Sequence, residues 1–90
     1  MKKAIITVVG KDKVGIISGV ANLLSDNNVN ILDISQTILQ DMFTMMMLVD
    51  VDGSKYNVAE LGELLSAKGK ELGVEIRIQL EEIFESMHRI

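Results

Sequence analysis

Apolar positions along this chain follow two rhythms, and the places where one gives way to the other mark the predicted elements. Residues 4–9, AIITVV, are β-branched and stop at Gly10, which predicts a short strand. From about Val14 to Asp26 the rhythm is helical: Ile17, Val20, Ala21 and Leu24 fall at i, i+3, i+4 and i+7, and Asn27 and Asn28 tolerate a left-handed stop. Residues 30–39 alternate, with Leu32, Ile34 and Ile38 set against Asp33, Ser35 and Thr37. Gln40 and Asp41 make a tight connection into a third strand, Met42 to Val51, which the DGS turn at 52–54 ends. A second helix over about 57–72 carries Val58, Leu61, Leu65 and Leu72 on one stripe, and Asn57 with Glu60 has the spacing of a capping box. The stretch 74–80, VEIRIQL, alternates cleanly, and 81–89 reads as a short helical tail.

This order, β-α-β-β-α-β, predicts an α+β fold: a split ferredoxin-like sandwich, with a four-stranded antiparallel sheet carrying both helices on one face. Strands 2 and 4 alternate as edges do, whereas strands 1 and 3 are apolar at both parities as central strands are, so the predicted order is 2-3-1-4. Residues 1–80 form the domain and 81–90 the C-terminal helical tail. Strand 3 places Met46 and Leu48 on one parity and Met45, Met47 and Val49 on the other, so the face away from the helices calls for a cover, either the tail or a second subunit.

Composition narrows the chemistry. The chain is 48% hydrophobic, but Phe 2, Tyr 1 and Trp 0 leave the core to aliphatic residues and methionine. A domain this small buries roughly 60% of its unfolded surface, so association would add needed apolar burial. A net charge of −4, with arginine only at Arg77 and Arg89, argues against polyanion binding. The absence of cysteine removes disulfides, thiolate metal sites and a cysteine nucleophile, and a cytoplasmic location fits. The opening MKKAIITVV stops at Gly10, short of a secretory h-region, and no stretch approaches the roughly 20 apolar residues of a membrane helix.

The segment VVGKDKVGIISG, residues 8–19, has the look of a phosphate loop. Gly10 and Gly15 have the spacing of a Walker pattern, but Ile16 and Ile17 stand where a phosphate-reaching lysine and a metal-holding hydroxyl are required, and the dinucleotide G-x-G-x-x-G spacing is missing. The glycines point elsewhere. With residues about 100° apart, Gly15, Gly19, Asn22 and Asp26 share a helix face opposite the Ile17, Val20, Ala21 and Leu24 stripe. Glycine inside a helix costs about 1 kcal/mol relative to alanine, so bare backbone on an outer face suits close approach by a neighbour, the alternative being a tolerated surface glycine. Gly19 and Asn22 are therefore expected in a dimer interface. Gly62 and Gly69 adjoin the core stripe of the second helix and read as close packing. Asp12, beside the helix start, can hold an ammonium group or cap the helix, and the adjacent backbone N–H groups attract carboxylates.

Taken together, GKDKVGIISGVANLLSDNNVNILDIS resembles the ACT domains, small ferredoxin-like modules that bind amino acids and regulate metabolic enzymes. The likeness covers about residues 3–80, and KDKVGII, ILDISQT and FTMMMLVD look most like the stand-alone single-ACT proteins of bacteria and archaea, with similarity to the ACT modules of glycine cleavage regulators. In such proteins ligand commonly sits between two subunits. The resemblance implies ligand contacts at Asp12, Lys13, Val14, Gly15 and Ile16 in the loop, and at Asn30 and Ile31 at the entry to strand 2. Two positions depart from the pattern: Val14 replaces a common proline, and Asp12 stands where some amino-acid binders have asparagine.

Other occupants of this fold lack their chemistry here. An RNA-recognition module stacks bases on central-strand aromatics, and only Phe43 is available. A copper chaperone needs paired cysteines, and an acylphosphatase needs a first-loop arginine. In Met45-Met46-Met47 only alternate residues share a face, which suits core filling better than copper. Asp50 and Asp52 shape a turn, Glu81, Glu82 and Glu85 form a solvated face, and His88 has no partner in view. No nucleophile–base pair emerges. The reading is a non-enzymatic, cofactor-free and metal-free regulatory module: an amino-acid sensor acting as a homodimer or higher homo-oligomer, serving a separate metabolic enzyme or regulator, without nucleic acid or membrane. The competing reading is a ligand-free interaction or dimerisation module.

Overall fold

The structure, a computed structural model, describes residues 1–87. In chain order the elements are β1 (Lys3–Lys11), α1 (Ile16–Asp26), β2 (Asn30–Leu39), β3 (Met42–Asp50), α2 (Val58–Leu72), β4 (Val74–Leu80) and α3 (Glu81–Met87). The strands form one antiparallel sheet in the order β2-β3-β1-β4, the order that the strand patterns predict. His88, Arg89 and Ile90, the last three residues of the predicted tail, lie outside the described residues.

The core lies between one sheet face and the two long helices. Ala4, Ile6 and Val8 of β1 are paired with Val49, Met47 and Met45 of β3, so all six stand on the same face, and all are buried. They share a cluster with Ile16, Val20 and Leu24 of α1 and with Leu61 and Leu65 of α2. Each fully buried side chain of this size contributes about 1.5–3 kcal/mol. Gly10 in β1 faces Val74 of β4, and a Cβ there would meet the Val74 Cα at 2.9 Å, so the close of the sheet at this corner requires glycine.

Helix α2 starts and stops on strong local signals. The Asn57 side chain accepts from the Glu60 N–H at 2.8 Å and the Glu60 carboxylate accepts from the Asn57 N–H at 3.0 Å, completing the predicted capping box. At the other end Gly73 takes φ 75° and donates its N–H to Gly69 O.

Helix α1 corrects the sequence reading. It begins at Ile16, because Gly15 adopts φ 96° and stands outside the helix. The buried stripe is Ile16, Val20 and Leu24, while Ile17 is 42% exposed. Ile16 and Ile17 are both isoleucine, so periodicity alone could not fix the phase. With Ile16 rather than Ile17 heading the stripe, Gly19 faces α2: a Cβ at Gly19 would meet Leu72 Cδ1 at 3.0 Å. Its glycine therefore has a use inside the chain, close packing of the two helices, rather than the vacant outer face expected. Asn22 and Asp26 are exposed, as read.

On the face away from α1 and α2, α3 packs against β1 and β4, and Gln79 Nε2 donates to Met87 Sδ at 3.5 Å. The tail thus covers the β1–β4 part of this face, while Met46 of β3 stays 38% exposed. At the opposite edge, β2 carries Leu32 as a surplus residue, since Ile31 pairs with Val49 and Asp33 with Leu48.

Candidate functional site

The connection from β1 to α1 is anchored at both ends. Asp12 N–H donates to Asp41 O at 2.7 Å, tying the end of β1 to the β2–β3 hairpin. Gly15 O accepts from Gly19 N–H at 2.9 Å and from Ser18 Oγ at 3.3 Å. The left-handed φ of Gly15 would cost a residue with a Cβ roughly 1–2 kcal/mol, although a Cβ there would meet nothing within 4 Å, so the backbone turn alone selects glycine.

No side chain caps α1. This excludes Asp12 as the N-cap, one of its two sequence readings. The first N–H groups of a helix have no intrahelical acceptor and carry its partial positive charge. Those of Ile16, Ile17 and Ser18 therefore remain donors for an incoming acid group. The Asp12 carboxylate makes no hydrogen bond or ion pair among the described residues.

A cleft of about 440 Å³ opens at this point, lined by residues 12–18 together with Gln36, Ile38 and Phe43. Grooves of about 390 and 480 Å³ lie elsewhere on the surface, so volume does not single it out. Its lining does: backbone donors, a free carboxylate, apolar walls and one neutral amide meet in one place. The last three residues were missed by the sequence reading. Gln36 had a signal, since Ile34, Gln36 and Ile38 pair with Met47, Met45 and Phe43 and so share the helix-side parity, where an amide interrupts an apolar series.

The predicted contacts divide into two groups. Asp12, Lys13, Val14, Gly15 and Ile16 line the loop cleft. Asn30 and Ile31 line a different cleft of about 370 Å³, with Ala21, Ser25, Asn28 and Val29. The first cleft lies toward the end of β2 and the second at its start, and at 3.3 Å per residue the ten residues Asn30–Leu39 span about 30 Å. One amino acid cannot touch both groups within a single copy. The Lys13 Nζ also lies 3.0 Å from the point where a Gly73 Cβ would stand, at the end of α2.

Among the described residues no group of three or more His, Cys, Asp and Glu is arranged to hold a metal ion, and no helix is long and apolar enough to cross a membrane.

Comparison with known proteins agrees with this architecture. A UPF0237 protein of Clostridium acetobutylicum is 57% identical over 88 residues, which cover 98% of this chain and 99% of that one. The solved ACT domain protein from Streptococcus pneumoniae superposes with a TM-score of 0.82 at 48% identity, over 97% of this chain and 98% of that one. A putative glycine cleavage system transcriptional repressor shares the fold, with a TM-score of 0.74 at 24% identity over 88% of this chain and 45% of that one. The ACT domain family profile matches residues 2–79, and the chain belongs to the ACT domain family, whose members are generally small-molecule-binding regulatory modules.

Proposed function

We propose that this protein is a non-enzymatic, cytoplasmic amino-acid sensor that works as a homodimer, with ligand held between the subunits. The observation that carries the reading is the uncapped start of α1 above the loop cleft, with Asp12 alongside. A zwitterion needs donors for its carboxylate and an acceptor for its ammonium at short range. The N–H groups of Ile16–Ser18 and the Asp12 carboxylate supply both. Gln36 is the neutral polar group left to meet a ligand side chain.

The separation of the two residue groups explains the dimer. β2 is an edge strand, and antiparallel pairing of its free edge with that of a second copy sets the start of each β2 against the end of the other. Asn30 and Ile31 of one copy then face the loop cleft of its partner, completing two equivalent sites. Ligand bridging the copies favours that arrangement over any other through unequal affinity, and the signal passes to a separate enzyme or regulator.

A thermal-shift screen against the twenty amino acids tests the proposal. A ligand at 100 times its Kd adds about 2.7 kcal/mol, which raises the Tm of a domain this size by about 10 °C or more. Asp12→Ala and Asn30→Ala each remove that shift. Flat melting curves with every amino acid overturn the sensor and favour the ligand-free dimerisation module, for which the apolar edge residues Ile34, Ile38 and Leu39 already provide a surface.

A further inference from the structure

We infer that the sheet face away from α1 and α2 is an interface for a second copy of this chain, laid face to face and separate from the β2 edge contact proposed above. Apolar residues at both parities of β3 call for a cover on this face, and α3 supplies it at one end only. Gln79, whose side chain donates to Met87 of α3, stands in a row with Ile5 of β1 and Leu48 of β3, and those two are half-buried. Toward the other end of the same face Met46, Val9 and Met42 are exposed. On α3 itself Ile83 and Met87, one helical turn apart, are exposed as well. Apolar surface is thus left both on the raised helix and on the recessed end that no helix covers.

A second copy fits this relief, because the face is complementary to itself. A two-fold axis running across the strands over the Thr7–Met46 pair exchanges the two ends, since Ile5 and Val9 lie two residues to either side of Thr7. The raised α3 of each copy then sits over the recessed end of the other, and Met46, on the axis, meets its counterpart. Charge agrees with the exchange. Lys11, on the open parity of β1, marks the recessed end, and neither its ammonium nor Glu81, Glu82 and Glu85 of α3 make an ion pair among the described residues. Turning one copy onto the other brings those glutamates toward the partner's lysine. Between the ends, Thr7, Thr44, Ser35 and Thr37 surround Met46 without a charge, the composition of an interface core.

The area suffices for a stable pair. Four strands spaced about 4.8 Å apart and about nine residues long present roughly 550 Å² per copy, so a pair buries about 1,100 Å², past the approximately 1,000 Å² expected of a specific interface. The axis of β2 pairing is normal to the sheet and the axis inferred here lies across the strands. The two contacts therefore coexist, and together they close at four copies.

Sedimentation of the full chain over a concentration series tests the interface. The parent reaches four copies, Ile38→Lys leaves the face-to-face pair, and Met46→Lys, which sets two like charges against each other on the axis, leaves the β2-linked pair with unchanged far-UV circular dichroism. In the Ile38→Lys background, Lys11→Glu weakens the pair about fivefold and so does Glu85→Lys, whereas both changes in one chain restore it. An Ile38→Lys protein that stays monomeric across the series overturns the inference and leaves the face to a different protein. Association indifferent to Met46→Lys overturns it too, as does a Lys11→Glu, Glu85→Lys double variant weaker than either single one. Failure of the edge contact looks different: the parent and Ile38→Lys then sediment alike, as pairs that Met46→Lys dissolves.

Discussion

β2 and β4 are both edge strands with alternating sequences, yet they end in opposite environments. In β4, Val74 and Ile76 are buried beneath α2, and the strand runs directly out of the helix that covers it. In β2, Ile34 and Ile38 are 43% and 51% exposed although they share a parity with the buried Met47 and Phe43. Alternation says which way a side chain points; it does not say whether anything lies over it. The helices differ in the same sense, since α2 has both halves of its capping box and α1 has no side-chain cap. The α2–β4 half is complete within one chain. The α1–β2 half keeps free backbone donors, an uncovered strand and the candidate cleft, which is where a ligand or second copy has something to gain.

The largest expected effect comes from testing burial on the two edges. Ile76→Ala, at a side chain 5% exposed, lowers unfolding free energy by about 2–4 kcal/mol in urea titrations, whereas Ile34→Ala costs less than about 1 kcal/mol under conditions where the protein is monomeric. Equal losses would erase the contrast. A charge sharpens it from the other side: Ile38→Lys weakens self-association at least about tenfold, or about 1.4 kcal/mol, in sedimentation experiments, and leaves the far-UV circular dichroism intact. An unchanged sedimentation profile would remove β2 from the interface.

Capping sets the next scale. Asn57→Ala removes the side chain that accepts from Glu60 N–H and costs about 1 kcal/mol, a loss for which α1 has no counterpart. The smallest effect is expected at Gly19→Ala. Better helix propensity offsets the crowding of Leu72 Cδ1, the tip of a half-buried side chain, and stability stays within about 0.5 kcal/mol of the parent. Leucine at position 19 instead forces the helices apart and lowers stability.

Most of the fold could be read from the sequence because its signals are local. Strand alternation, the Asn57-x-x-Glu60 spacing and the glycine breaks each act within a few residues, and they gave strand order as well as element order. The phase of α1 could not be read, since two adjacent isoleucines satisfy the same period and the backbone twist at Gly15 decides between them. The partial rotation that seats Ile16 in place of Ile17 and Ala21 moved Gly19 from an outer face to the helix–helix contact. The loop half of the candidate cleft was expected from the family resemblance, with glycine and charge placement pointing to the same segment. Ile38 and Phe43 were not, because the fold brings them to the cleft from 20 or more residues along the sequence, and Gln36 showed only as an amide interrupting an apolar series.

The surplus Leu32 has one more consequence. A bulge bends its strand and deepens the local twist, so a second strand laid along residues 33–39 of β2 would diverge from it near Leu32 and leave a gap in which a ligand could bridge residues 30 and 31 to the partner. An exposed apolar edge without such a kink would be a template for endless addition of further sheets. In the proposed dimer the bend would limit strand pairing to the straight portion, so that joining could stop at a closed pair with an opening left at either end.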